Sequence, residues 1–182
     1  MRDALRACVV LAAACGLSVQ AAQNVTAHRI TTDHLQITTY ASEAVVAPGS
    51  VFSLVFEIRP RDRIHVYAPG AKGYQIIRVA IDPNPALVMR PVQYPASEMY
   101  FFQPLNERVP VFQQPFRLTQ AMAVSTAPEH RALLAKGESV TIKGTLNYQA
   151  CDDRVCFLPK SVPVSYTVKL RPPDATRPAA AR

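Results

Sequence analysis

Apolar and polar residues alternate with a period of two through most of this chain. Phe52, Leu54, Phe56 and Ile58 alternate with Val51, Ser53, Val55 and Glu57. This is the pattern of a β-strand, apolar enough to sit centrally in a sheet. Ile64-His65-Val66-Tyr67 continues as a second strand after the turn-like Arg59-Pro60-Arg61-Asp62. Residues 75–81 predict a third, ended by Asp82-Pro83-Asn84-Pro85. Residues 108–112 and 116–118 read as a hairpin pair. Pro110 confines the first of them to an edge or an irregular strand, because proline cannot donate to a ladder. Val140, Ile142, Leu146 and Tyr148 share one face of a long strand, and Val162, Val164, Tyr166, Val168 and Leu170 share one face of the last. No long stretch has helical periodicity. The best candidate, residues 128–134, would make at most about two turns. Short strands separated by turn signals predict an all-β fold, a β-sandwich.

One stretch breaks the alternation. Residues 94–107 hold Pro95, Met99, Tyr100, Phe101, Phe102 and Pro104 and read as a long loop. Aromatic side chains crowded on a loop need burial or a purpose. Composition narrows the picture further. The chain has 182 residues, 49% hydrophobic and 18% charged, which predicts one globular domain with a core. Sixteen prolines and no tryptophan favour short strands and many turns. The formal net charge is +7, but basic and acidic residues are interspersed. Without a basic run interleaved with aromatics, nucleic-acid binding is not expected.

The N-terminus reads as a secretory signal: Arg2 and Arg6, then apolar residues 7–17, then Val19-Gln20-Ala21 with small residues at the cleavage positions. The apolar run is too short to span a bilayer. Cleavage after Ala21 gives a signal peptide over 1–21, a sandwich domain over 22–170 and a disordered Pro/Ala/Arg tail over 171–182. A weaker alternative is lipidation at Cys15, since Ala12-Ala13-Ala14-Cys15 is a poor lipobox. The expected location is periplasmic. That compartment is oxidising and permits a disulfide.

Removal of the signal leaves Cys151 and Cys156 as the only cysteines. Cys151 ends one strand, and Cys156 lies just before Pro159 and the next strand. A four-residue spacer allows the short Cα–Cα distance of a disulfide. Three readings are open. As a structural clip the bridge would contribute only about 2 kcal/mol, because the ring it closes is short, and a domain of this size has core enough without it. As a redox couple it needs no metal, cofactor or general base, only access and a suitable potential. Asp152 and Asp153 would raise a nearby thiol pKa and Arg154 would lower it. As a metal site it would need ligands from His28, His34, His65, His130 or Met99.

Leu146-Asn147-Tyr148-Gln149-Ala150-Cys151 through Cys156-Phe157-Leu158-Pro159 resembles the N-terminal periplasmic domain of the DsbD-type thiol:disulfide interchange proteins. Residues 63–70, with His65 and Tyr67 two apart on a strand, and Val92-Gln93-Tyr94-Pro95 before an aromatic loop, resemble further parts of that domain. The resemblance runs from Leu35 to Leu170. It implies an immunoglobulin-like β-sandwich that takes electrons from a membrane thiol-redox protein or a thioredoxin-like domain. These pass to periplasmic thiol–disulfide proteins, in support of disulfide reduction, peroxide reduction or cytochrome c maturation. By the same resemblance Cys156 forms the mixed disulfides and Cys151 resolves them. Tyr100, Phe101 or Phe102 caps the disulfide, while His65 and Tyr67 line it. No metal and no cofactor are implied. The chain departs from the family in a cysteine spacer one residue shorter, in acidic cap-loop groups reduced to Glu98, and in lacking membrane and thioredoxin-like parts, so its electron source is expected to be a separate protein. A rival from another class is a non-redox binding module with a structural disulfide, its 94–107 loop contacting a partner.

Overall fold

The structure is a computed structural model that describes residues 25–130 and 139–171. The expected signal peptide, Cys15, the expected tail beyond Arg171 and most of the helical candidate lie outside the described residues. Of that candidate, only a 3-10 turn at Pro128–His130 is described.

The strands, in chain order, are β1 (His28–Thr31), β2 (Leu35–Ala41), β3 (Val45–Val46), β4 (Val51–Pro60), β5 (His65–Tyr67), β6 (Arg78–Ile81), β7 (Leu87–Gln93), β8 (Glu98–Phe102), β9 (Glu107–Phe112), β10 (Phe116–Val124), β11 (Ser139–Tyr148), β12 (Ala150–Cys151) and β13 (Lys160–Leu170). They form three sheets in the orders β1-β2-β4-β10-β7, β3-β13-β11-β6 and β12-β5-β9-β8. The first two are the layers of an immunoglobulin-like β-sandwich. The third is an annex at one end, and it carries the cysteines.

The sandwich follows from the alternation. On β4 the side chains of Phe52, Leu54, Phe56 and Ile58 are buried, and on β13 those of Val162, Val164, Tyr166, Val168 and Leu170. With Ile142 and Leu146 of β11 and Leu35 and Ile37 of β2 they form one apolar cluster. β4 is central, paired with β2 on one side and β10 on the other. A buried hydroxyl of this core is paired, as burial requires. Thr39 donates to the carbonyl of Val55 at 2.9 Å and its hydroxyl also meets that of Tyr166.

Three expectations need correction. Residues 108–112 and 116–118 are not a hairpin: β9 pairs with β5 and β8, whereas β10 pairs with β4 and β7. The chain changes sheets between Phe112 and Phe116, whose rings stack at 4.3 Å. Nor is Pro110 on an edge, since β9 has neighbours on both sides. The N–H and C=O of one strand residue point the same way, and the Pro110 carbonyl accepts from Ala68 just past the end of β5. There the ladder needs no donor from residue 110, because the Ala68 carbonyl is taken by the Ala71 N–H at 3.2 Å. Finally, residues 94–107 are not all loop. β8 occupies their middle and pairs with β9 in register from Glu98↔Val111 to Phe102↔Glu107.

A glycine permits a close approach between two strands of the second layer. A Cβ on Gly144 of β11 would meet the Ala80 carbonyl oxygen at 2.5 Å and the Ile81 Cα at 2.9 Å, both backbone atoms of β6. Gly144→Ala must therefore push β6 from β11. We expect a loss of about 1–3 kcal/mol in urea unfolding, and an unchanged midpoint would mean that this sheet edge yields freely.

Candidate functional site

The cysteine loop is held by its own motif. Tyr148 is fully buried, and its hydroxyl meets Thr32 Oγ1 at 2.9 Å. Gln149 clamps two segments: its Oε1 accepts from the Gln75 N–H at 3.1 Å and its Nε2 donates to the Phe157 carbonyl at 3.2 Å. Ala150, buried and small, lets β12 lie against β5, with Ala150 opposite Val66 and Cys151 opposite His65. Phe157 donates its N–H to the Ala150 carbonyl and packs on the ring of His34 at 4.4 Å. Between the cysteines, the Asp152 carboxylate accepts the N–H groups of Arg154 and Val155, both at 2.8 Å. These bonds hold its pKa below the usual carboxylate range. They also close the turn that brings Cys156 back to Cys151, and the two form a disulfide with Cα atoms 4.0 Å apart.

The two sulfurs face different surroundings. Cys151 is 0% exposed, within a small cluster with Tyr67, Val109 and Val111, whereas Cys156 is exposed. The Tyr67 hydroxyl lies 3.0 Å from Cys151 Sγ and 3.2 Å from Cys156 Sγ. Burial pushes the Tyr67 phenol well above its ordinary pKa, so it stays protonated and can donate. Its ring stacks on Tyr74 at 4.0 Å, and Tyr74 donates to Glu107 Oε2 at 2.9 Å.

His65 is buried between aromatic rings, edge-on to Tyr67 at 5.8 Å and tilted against Tyr100 at 4.4 Å. Its Nε2 has no hydrogen-bond partner among the described residues. Burial lowers its pKa, and the charges of Asp153 and Asp152 oppose that shift.

The aromatic triplet splits by strand alternation. Tyr100 and Phe102 point one way along β8 and Phe101 the other. Tyr100 donates to Asp153 Oδ1 at 3.1 Å and packs against the cluster that holds Cys151. Burial and the bond to Asp153 raise the Tyr100 pKa. Phe102 is buried. Phe101 is exposed, with the Arg108 guanidinium 5.5 Å from its ring centre. The structure therefore brings Tyr67, His65 and Tyr100 to the disulfide region and turns Phe101 away. Of the other histidines, His28 lies edge-on to Tyr166 and His130 meets Ser125 Oγ at 3.0 Å.

Sequence reasoning missed Tyr74 and Glu107. Tyr74 sits in the β5–β6 connection, and Glu107 begins β9. Their contact spans 33 positions and is set by how the annex folds. The one signal available was a tyrosine a short way beyond the His65–Tyr67 strand.

The solved structure of the N-terminal periplasmic domain of ScsB from Proteus mirabilis superposes with a TM-score of 0.50 at 11% identity, over 75% of this chain and 49% of that chain. The present chain thus spans about half the length of that relative, and at this identity the likeness is one of fold. Comparison with curated proteins gives no match. The sequence profile of the family described as thiol:disulfide interchange protein DsbD, N-terminal, matches residues 33–166, a span that includes both cysteines and every aromatic residue around them, and the chain belongs to that family.

Proposed function

We propose that this chain is an exported, periplasmic electron shuttle that works by thiol–disulfide exchange through Cys151 and Cys156. The observation that carries the reading is the asymmetry of the pair, one cysteine exposed and the other wholly buried under a phenol hydroxyl. An incoming thiolate needs in-line access to one sulfur and a leaving group on the other. Cys156 offers the access and Cys151 the leaving sulfur.

The reaction runs in balanced steps. A partner thiolate attacks Cys156 Sγ, the Cys151–Cys156 bond breaks, and Cys151 leaves with the electron pair. The partner's second thiolate then attacks its own sulfur in the mixed disulfide and releases Cys156 as a thiolate. The partner dithiol is now oxidised and the couple has gained its two electrons; the two protons that the partner thiols released to solvent on ionising are taken up by the Cys151 and Cys156 thiolates. In the forward half Cys156 attacks an acceptor disulfide and Cys151 resolves the intermediate. The donor is a thioredoxin-like domain or a membrane thiol-redox protein, and the acceptor a periplasmic thiol–disulfide protein. Exposed Met99 and Phe101 of β8, with Val155 and Leu158 of the cysteine loop, supply apolar contact area at this end.

Two measurements test the reading. A Cys151→Ser variant, mixed with an oxidised thioredoxin-like protein, is expected to accumulate a mixed disulfide through Cys156. Equilibration with glutathione is expected to give a potential above about −300 mV. A lower potential with no trapped adduct would favour a structural bridge.

A further inference from the structure

Exchange through this pair succeeds only if the two sulfurs stay together after their bond opens. In the mixed disulfide Cys156 is joined to a partner, and Cys151 must still reach it. Cys151 cannot follow a moving loop, because it is 0% exposed and packed with Tyr67, Val109 and Val111. Arg154, Val155 and Cys156 are exposed, so the burden falls on the loop that carries Cys156.

That loop is closed by hydrogen bonds that involve neither sulfur. Cys151 and Cys156 face each other as an antiparallel bridge. On one side of the bridge the Phe157 N–H donates to the Ala150 carbonyl at 2.9 Å, and on the other the Asp152 N–H donates to the Val155 carbonyl at 3.0 Å. The cysteines are thus a non-hydrogen-bonded antiparallel pair, whose Cα atoms a ladder by itself brings to about 4.5 Å. The observed separation is 4.0 Å. Two side chains reinforce the ladder. Asp152 Oδ1 accepts from the N–H groups of Arg154 and Val155, both at 2.8 Å, and sets the turn. Gln149 Nε2 donates to the Phe157 carbonyl at 3.2 Å, while its Oε1 accepts from the Gln75 N–H at 3.1 Å. Gln149 therefore ties the segment just after Cys156 to the β5–β6 connection. The residue before Gln75 in that connection is Tyr74, whose ring stacks on Tyr67.

We propose that Gln149 and Asp152 are positioning residues that keep the cysteine loop closed once the disulfide has opened, and so set the rate at which Cys151 resolves the mixed disulfide. This rests on the exchange reading above. In the resolving step Cys151 gives its proton to solvent and attacks Cys156 Sγ as a thiolate. The Cys151–Cys156 bond forms, the bond from Cys156 to the partner sulfur breaks, and the partner leaves as a thiolate with the electron pair. Attack within a held loop runs at the effective concentration that the loop imposes. The opening step, attack of an external thiolate on exposed Cys156, does not draw on that advantage.

The test uses the full chain with glutathione as the partner thiol. The Cys156–glutathione adduct is isolated in acid, where thiolates are scarce, and returned to neutral pH. Release of glutathione is then followed by acid quench and mass spectrometry. Gln149→Met matches the side-chain length and makes neither bond. Asp152→Ala removes the turn acceptor at a solvent-facing site, and Asp152→Asn removes the charge but keeps the acceptor. Release is expected to slow about tenfold in Gln149→Met and in Asp152→Ala, the scale of losing one or two hydrogen bonds, and to stay near the natural rate in Asp152→Asn. Equilibrium with glutathione should move by the same factor, raising the potential by about 30 mV, which is tenfold for a two-electron couple. The rate at which glutathione opens the oxidised chain should change by less than about twofold, since access to Cys156 is unaltered.

Release from Asp152→Ala as fast as from the natural chain overturns the proposal, whether or not Gln149→Met folds. Equal slowing of opening and release also overturns it, because a distorted site would then be responsible. If glutathione does not open the disulfide of the natural chain at all, the shuttle reading itself fails. That result is distinct from a disulfide that opens but is resolved without regard to either residue.

Discussion

In the reduced, folded protein, iodoacetamide labels Cys156 at least about tenfold faster than Cys151, because alkylation requires both a thiolate and an approach to it. Cys156 is exposed, whereas Cys151 is 0% exposed behind Tyr67, Val109 and Val111. An alkylating agent reaches Cys151 only after the annex opens. Denaturation should therefore abolish the difference, because the chain then presents two ordinary thiols. Peptide mapping after timed labelling reads the two rates separately. Equal rates in the folded state would show that the annex opens faster than alkylation. The division of labour between an attacking and a resolving cysteine would then lose its structural basis. Thiolate stabilisation by Tyr67 does not upset the comparison, since its hydroxyl is nearly equidistant from both sulfurs, at 3.0 and 3.2 Å.

The long strands were legible because burial on one face repeats every second residue. The five apolar positions of β13 read from the sequence are all buried. The cysteine motif was legible because two cysteines between two strands leave few placements. What failed has physical causes. β2 was missed although Leu35, Ile37, Thr39 and Ala41 alternate inward. Its inner face includes a threonine, which is acceptable in the core only because Val55 and Tyr166 satisfy its hydroxyl. β7 was missed because Pro91 argues against a strand. Yet it lies where the β7–β10 register shifts, at a sheet edge, and Gln120 Nε2 donates to the Arg90 carbonyl there at 3.1 Å. The false hairpin of residues 108–118 shows the same limit from another side. Alternation reports that a segment is a strand, not which strand it pairs with. The Tyr74–Glu107 contact carries no local pattern at all, since a tertiary fold alone brings those residues together.

Alanine at Tyr100 is expected to speed reduction of Cys151–Cys156 by dithiothreitol by about tenfold, with the fold retained, since exchange depends on access as well as pKa. Tyr100 packs against the cluster that holds Cys151, lies on His65 at 4.4 Å and reaches Asp153 inside the cysteine loop. It thus bridges β8 to the turn between the two cysteines. Its removal frees that turn and uncovers the ring of His65. The hydrogen bond to Asp153 is exposed and adds little to global stability. The two neighbouring rings serve as controls because alternation sends them elsewhere. Phe101→Ala should leave both rate and stability near wild type, since that ring is exposed. Phe102→Ala should cost about 3–5 kcal/mol, as truncating a buried phenylalanine does; its effect on reduction would then come from unfolding and would vanish under stabilising conditions. Tyr100→Phe separates the two parts of the Tyr100 contribution, because it keeps the ring on His65 and drops only the bond to Asp153. A rate close to wild type in Tyr100→Phe with a fast Tyr100→Ala assigns the cover to the ring. If Tyr100→Ala is no faster than wild type, access to Cys156 is controlled elsewhere and β8 is simply the outer strand of the annex.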